Sequence, residues 1–164
     1  MKRFLMVIVV FVVSLMAVPV GAITKEQESA ISTNCDEIRE QLRAVQKNDA
    51  RARVYLGGRY ETILSKFIVP LNVRLVENNL SNADLVENQN DFAETKAIFN
   101  NDYINYQQGL EELVLMDCKS EPAAFYEKLE KVRQKRKIVE QDVLKMRTLV
   151  SQHTQMVMEL RSKF

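Results

Sequence analysis

The sequence predicts an all-α protein: an elongated, antiparallel three-helix bundle of coiled-coil type, disulfide-stapled, with a fourth helix if its first arm divides. Three observations lead there. Apolar residues recur at alternating steps of four and three over long stretches. Breakers are scarce, with four glycines and three prolines in 164 residues. The only two cysteines, Cys35 and Cys118, follow an export signal.

That signal occupies residues 1–22. Met1-Lys2-Arg3 is followed by an apolar run from Phe4 to Val13, which continues past Ser14 to Val18 and ends at Pro19-Val20-Gly21-Ala22. A positive start, an apolar middle and a small-residue exit define a signal peptide, with cleavage expected after Ala22. Kept uncleaved, Phe4 to Ile23 approaches the roughly 20 apolar residues of a spanning helix, and contact with a membrane follows only in that case. Pro19 and Gly21 suit an exit site better than a span. The expected location is therefore outside the cytoplasm, secreted or in the cell envelope.

Removal of Lys2 and Arg3 turns an excess of one base, 23 basic against 22 acidic residues, into near neutrality. A neutral chain has no global attraction for nucleic acid, so that partner is not expected and only a local patch is left open. Residues 23–164 form one helical domain, with helices expected at about 26–56, 59–78, 82–117 and 121–164.

The last helix has the strongest pattern. From Phe125 the stripe runs through Leu129, Val132, Arg136, Val139, Val143, Met146, Val150, His153, Val157 and Leu160 to Phe164, apolar except for Arg136 and His153. A sustained seven-residue repeat is the mark of a left-handed coiled-coil seam. Ser120 before Glu121-Pro122 is the expected N-cap. In the preceding helix Leu85, Phe92, Phe99, Tyr106 and Leu113 stand at strict intervals of seven, with Tyr103 and Leu110 beside them. Ser81 or Asn82 can cap its start, and Gly109 costs it about 1 kcal/mol relative to alanine.

The first arm carries Ile31, Cys35, Ile38, Leu42 and Val45, is interrupted at Asp49, and resumes at Ala52 and Leu56 before Gly57-Gly58. Tyr60, Leu64, Phe67, Leu71 and Leu75 continue it, with Pro70 in their midst. The glycine pair and the proline predict two bends, and whether residues 26–78 form one bent helix or two stays open. The short polar connections at 77–82 and 117–120 make neighbouring helices antiparallel.

An even cysteine count in an exported chain predicts a Cys35–Cys118 bridge. A chain reversing near residue 80 brings position 42, not 35, opposite Cys118. Either the bends shift the register, or the first turns fold back across the 117–120 corner.

Few side chains form chemical constellations. Lys128, Lys131, Arg133, Lys135, Arg136 and Lys137 make the one dense basic run, a candidate patch for an anionic surface; Glu127, Glu130 and Glu140 interleave with it as on a solvated face. His153, with Met146, Met156 and Met158 nearby, invites a metal reading, but a polar seam residue that fixes register accounts for it better. Phe99, Tyr103 and Tyr106 lie beside Asn100, Asn101 and Asn105, and their seam positions assign the aromatics to the core. Asn79-Leu80-Ser81 matches a glycosylation acceptor. Phosphate loops, nucleophile elbows and zinc spacings are missing from the sequence, so neither an enzyme nor a cofactor is expected.

At Leu56-Gly57-Gly58-Arg59-Tyr60-Glu61-Thr62-Ile63-Leu64, at Pro70-Leu71-Asn72-Val73-Arg74 and from Asp117 through Tyr126, the chain resembles small exported helical proteins of ultrasmall, host-attached bacteria of the candidate phyla radiation. That resemblance implies an extracytoplasmic bacterial setting and no particular activity. Ile23-Thr24-Lys25-Glu26-Gln27 is similar to the LTxxQ motif of Spy-like periplasmic chaperones. The size and helical prongs also resemble the Skp-type chaperone, whose strands have no counterpart in this sequence. The expected function is a non-enzymatic structural or protein-interaction module of the envelope, pairing with itself or a helical partner. Alternatives are a holdase for exported polypeptides and an envelope metal-binding protein.

Overall fold

The computed structural model describes residues 23–80 and 82–163; the expected signal peptide, Ser81 as a cap and Phe164 as the end of the seam lie outside them. The described chain is entirely helical, in the order α1 (Lys25–Thr33), α2 (Cys35–Thr62), a π-helical segment (Ile63–Ile68), α3 (Val69–Glu77), α4 (Ala83–Leu115) and α5 (Pro122–Arg161). Helices α4 and α5 pack antiparallel as the backbone of the bundle. At 1.5 Å per residue they are about 50 Å and 60 Å long.

The α4 stripe is buried as the heptad spacing predicts. Leu85, Phe92, Phe99, Tyr106 and Leu113 are all buried, with Tyr103 and Leu110 beside them. On α5 the buried positions are Phe125, Val132, Met146, Leu149 and His153. The core also holds polar residues unforeseen from the sequence: Asn88, whose Nδ2 donates to the Leu149 carbonyl at 3.1 Å, and Thr95. Gly109 has a packing role as well, since a Cβ there would stand 3.4 Å from Val132 Cγ2 on α5.

The first arm departs from expectation in two places. Helix α2 runs straight through Gly57 and Gly58, so the pair causes no break, and the chain stays helical for 43 residues from Cys35 to Glu77. The departure from α geometry falls at Ile63–Ile68 instead, where the Val69 N–H reaches back to the Leu64 carbonyl. Pro70 explains it: its ring crowds the preceding turn and it offers no N–H, and a widened π turn just ahead relieves both. The unforeseen division comes earlier, at Asn34 between α1 and α2, where the Asn34 side chain donates to the Ala30 carbonyl at 2.8 Å.

Caps fix the ends. Thr24 and Gln27 form a reciprocal capping box, Thr24 N–H to Gln27 Oε1 at 2.9 Å and Gln27 N–H to Thr24 Oγ1 at 3.2 Å. The stretch similar to the LTxxQ motif thus has a local structural reason to be there. Asn79, at φ 57°, is the left-handed residue that ends α3, with Leu80 N–H on the Leu75 carbonyl and Asn79 N–H on that of Val76, a Schellman closure. Asn82 caps α4 through the Asp84 N–H. Ser120 does not cap α5. Glu121 takes that position without a side-chain bond, while the Asp117 carboxylate accepts from the N–H groups of Lys119 at 2.9 Å and Ser120 at 3.4 Å. Those backbone donors hold the Asp117 carboxyl below its ordinary pKa.

Cys35 and Cys118 lie at disulfide distance, with Cα atoms 5.5 Å apart, both buried. The register yields rather than the bridge. Near the turn Asn72 faces Leu85 and Gln89, midway Asp49 faces Tyr106, and at the open end Arg39 donates to the Val114 carbonyl. A π turn places a surplus residue in the first arm and so accounts for part of this drift toward lower numbers. Beyond the cysteines α1 crosses the corner and packs on α5, its Ser32 hydroxyl donating to the Lys119 carbonyl at 3.1 Å.

Candidate interaction surfaces

Two surfaces of the first arm stand out, on different sides of α2. The inner one faces the α4/α5 hairpin. There the three helices do not close completely, and a groove of about 370 Å³ runs between Ala52 and Leu56 of α2, Phe99 and Tyr103 of α4, and Val139, Val143 and Leu144 of α5. Its walls are apolar and one end is ionic.

That ionic end unites two polar interruptions of the apolar stripes, Asp49 on α2 and Arg136 on α5. Arg136 Nε donates to Asp49 Oδ2 at 3.0 Å and an η-nitrogen to Oδ1 at 3.1 Å, while the Tyr106 hydroxyl donates to Oδ2 at 2.7 Å. Burial, reinforced by the Asp49 carboxylate, pushes the Tyr106 hydroxyl far above its ordinary pKa, so it stays a donor. The hydrogen bonds to Asp49 hold the Arg136 guanidinium charged. Arg53 lies over the Tyr103 ring, 5.4 Å from its centroid, a cation–π contact. Among the described residues Arg53 has no carboxylate within ion-pair distance.

The outer surface belongs to α2 and the π segment. Tyr55 is 67% exposed and Phe67 64%. With Gly58, Arg59, Thr62 and Ile63 they line a shallow hollow. A Cβ on Gly57 or Gly58 would meet nothing within 4 Å. Neither glycine has a positive φ, and neither is required by contacts within the chain. Val73 and Val76 extend the exposed apolar residues into α3.

The basic run does not form one patch. Lys128 pairs with Glu112 of α4, Lys135 donates to the Asn105 carbonyl of α4 at 3.1 Å, and Arg136 is committed to Asp49. Arg133 pairs with Glu130 on its own helix at 2.5 Å. Lys131 and Lys137 are exposed and without ion pairs among the described residues. Half of the run thus joins helices.

His153 is buried against the hairpin, and its Nδ1 has no hydrogen-bond partner among the described residues. Burial lowers its pKa and keeps the ring neutral. Met146 is buried, whereas Met158 is exposed, so these methionines do not converge on the imidazole. Among the described residues no group of three or more His, Cys, Asp or Glu side chains is arranged to hold a metal ion. Phe99, Tyr103 and Tyr106 are core residues that double as groove wall.

Both surfaces left partial traces in the sequence. Asp49 interrupts one stripe and Arg136 another, and opposite charges on two seams are the signal of a pair between helices. The outer hollow could be found only by noting that a glycine pair flanked by Tyr55 and Tyr60 need not mark a bend.

No helix among the described residues is long and apolar enough to cross a membrane. Comparison with models of known protein families, with curated proteins and with solved structures finds no match to the chain.

Proposed function

We propose that the chain is a non-enzymatic, exported protein-interaction module of the cell envelope, which engages a helical partner through the outer face of α2 and α3. The hollow bracketed by Tyr55 and Phe67 carries this reading. A helical glycine costs about 1 kcal/mol relative to alanine, and nothing inside the chain requires one at 57 or 58. Small residues on an exposed helix face let a second backbone come close, and large exposed aromatics on either side supply anchors of the kind that dominate interfaces.

Sedimentation velocity of the exported chain at micromolar concentration, with affinity capture from envelope extract, tests the proposal. Self-association or a captured partner should be lost on Tyr55→Ala with Phe67→Ala while helix content is retained. A monomer that captures nothing, or association indifferent to both substitutions, rejects it.

The holdase reading draws support from the same exposed apolar residues. It requires suppression of client aggregation at stoichiometric amounts, and that activity should tolerate single substitutions that a specific helical interface would not.

A further inference from the structure

The groove between α2 and the α4/α5 hairpin has the dimensions and polarity of a small-molecule site, separate from the outer hollow. Its volume of about 370 Å³ lies within the range of ligand pockets. Its length is set by the seven residue steps from Asp49 to Leu56, roughly 10 Å at 1.5 Å per residue. That suits a medium-length chain better than a long one. The walls are apolar through Leu56, Phe99, Val139 and Val143, and Leu144 at the edge is 58% exposed.

The charges at the rim select among apolar ligands. Arg136 is charge-paired, with the Nε edge of its guanidinium bound by the Asp49 carboxylate. Arg53 is not: it rests on the Tyr103 ring with no carboxylate partner among the described residues. A guanidinium held on an aromatic face and lining an apolar groove is placed to meet an anionic head group whose tail lies along the groove. Glu140, on the α5 rim one turn from Arg136, disfavours a second negative charge.

We infer that the groove binds singly charged, medium-chain organic anions, with the alkyl chain between Leu56, Phe99 and Val143 and the carboxylate on Arg53.

Calorimetric titration of the exported chain, disulfide intact, with decanoate below its micellar concentration tests this inference, with decanol and decyltrimethylammonium as neutral and cationic controls. Saturable one-to-one binding of decanoate is expected, with both controls about tenfold weaker, since a hydrogen bond to a charged group contributes about 1.5 kcal/mol or more. Arg53→Gln should bring decanoate down to the affinity of decanol, and Arg53→Lys should recover part of the loss. Ala52→Phe, at an exposed wall position, should block binding of all three at unchanged helix content. Absence of decanoate binding up to millimolar concentration, a cation that binds equally well, or an affinity untouched by Arg53→Gln would overturn the inference. Tyr55 and Phe67 line neither wall, so the outcome is independent of the interaction proposed for the outer face.

Discussion

Arg136 grips Asp49 through two parallel hydrogen bonds of 3.0 and 3.1 Å, and this single contact ties α5 to α2 across the mouth of the groove. Each residue interrupts its own apolar stripe, and together they form one polar layer completed by Tyr106. The Arg136 side chain is 48% exposed, so solvent screens much of the attraction. A double-mutant cycle with Asp49→Asn and Arg136→Met should give a coupling of about 1 kcal/mol. Asp49→Ala alone should cost about 2 kcal/mol, because the buried Tyr106 hydroxyl also loses its acceptor. Urea denaturation of wild type and the four variants measures both quantities.

The bridge between Cys35 and Cys118 spans a sequence separation of 83 residues and ties the start of α2 to the α4/α5 corner. In the chain-entropy model a loop of that size contributes about 4.5 kcal/mol. Replacing both cysteines by serine should lower the guanidinium midpoint accordingly. The other polar links at that corner are the exposed Ser32 to Lys119 hydrogen bond and Lys119–Asp36 ion pair and the partly buried Arg39 to Val114 hydrogen bond. Amide exchange in the reduced protein should therefore rise first in α1 and the opening turns of α2, before the α4/α5 hairpin is affected.

What was legible in the sequence follows from which forces are periodic. Burial along α4 and α5 repeats every seven residues, so Phe92, Phe99 and Phe125 could be assigned to the core from spacing alone. The cysteine pair could be assigned from parity and the compartment that the signal-like N-terminus leads one to expect. The bends could not. Glycine lowers helix propensity without forbidding a helix, and Gly57-Gly58 stays helical within α2. Pro70 forbids the regular ladder, but the π turn it imposes lies on its N-terminal side, at Ile63–Ile68. Ser120 is the natural cap from sequence order, yet α5 begins one residue later with Glu121 at the cap. The Asp117 carboxylate closes the preceding turn on the N–H groups of Lys119 and Ser120, a geometry that sequence order does not record. The groove is likewise a property of how far apart three helices sit.

Filling Gly57 and Gly58 separates folding from interaction. Each Cβ would enter open space, so Gly57→Ala and Gly58→Ala should each stabilise the isolated chain by up to about 1 kcal/mol through helix propensity. Gly58→Ala, on the hollow itself, should also weaken association through the outer face if a partner backbone packs there. Gly57, about 100° away around the helix at 3.6 residues per turn, lies off that face. For Gly58→Ala a rise in thermal midpoint with a fall in affinity is the expected combination; a rise in both would place the interface elsewhere.

Asp142 of α5 supplies a pH dependence of defined sign. Its Oδ2 is buried without a hydrogen-bond partner among the described residues. Burial first, and then the neighbouring Asp102 carboxylate of α4, raise the Asp142 pKa, with Lys145 opposing them. A carboxyl whose pKa is higher folded than unfolded binds its proton more tightly in the folded state. Its contribution is therefore fully present below the unfolded value, near 3.8, and is lost as pH rises through the raised one. At pH 7 the pair is a source of instability, screened by partial exposure. Asp142→Asn should stabilise the protein at neutral pH by a few tenths to about 1 kcal/mol and do nothing at pH 3. Asp102→Asn should give a smaller gain, because it removes the repulsion but not the burial of the Asp142 charge, and the two gains should not add, because the repulsion can be removed only once. Asp36, Glu112 and Asp117 have lowered pKa values and act in the opposite direction, losing stability as pH falls. Wild type and variant share those three carboxyls, so the difference between their urea midpoints, followed from pH 3 to pH 7, isolates the Asp102–Asp142 contact. A difference that stays constant across that range would mean that Asp142 acts through packing rather than charge.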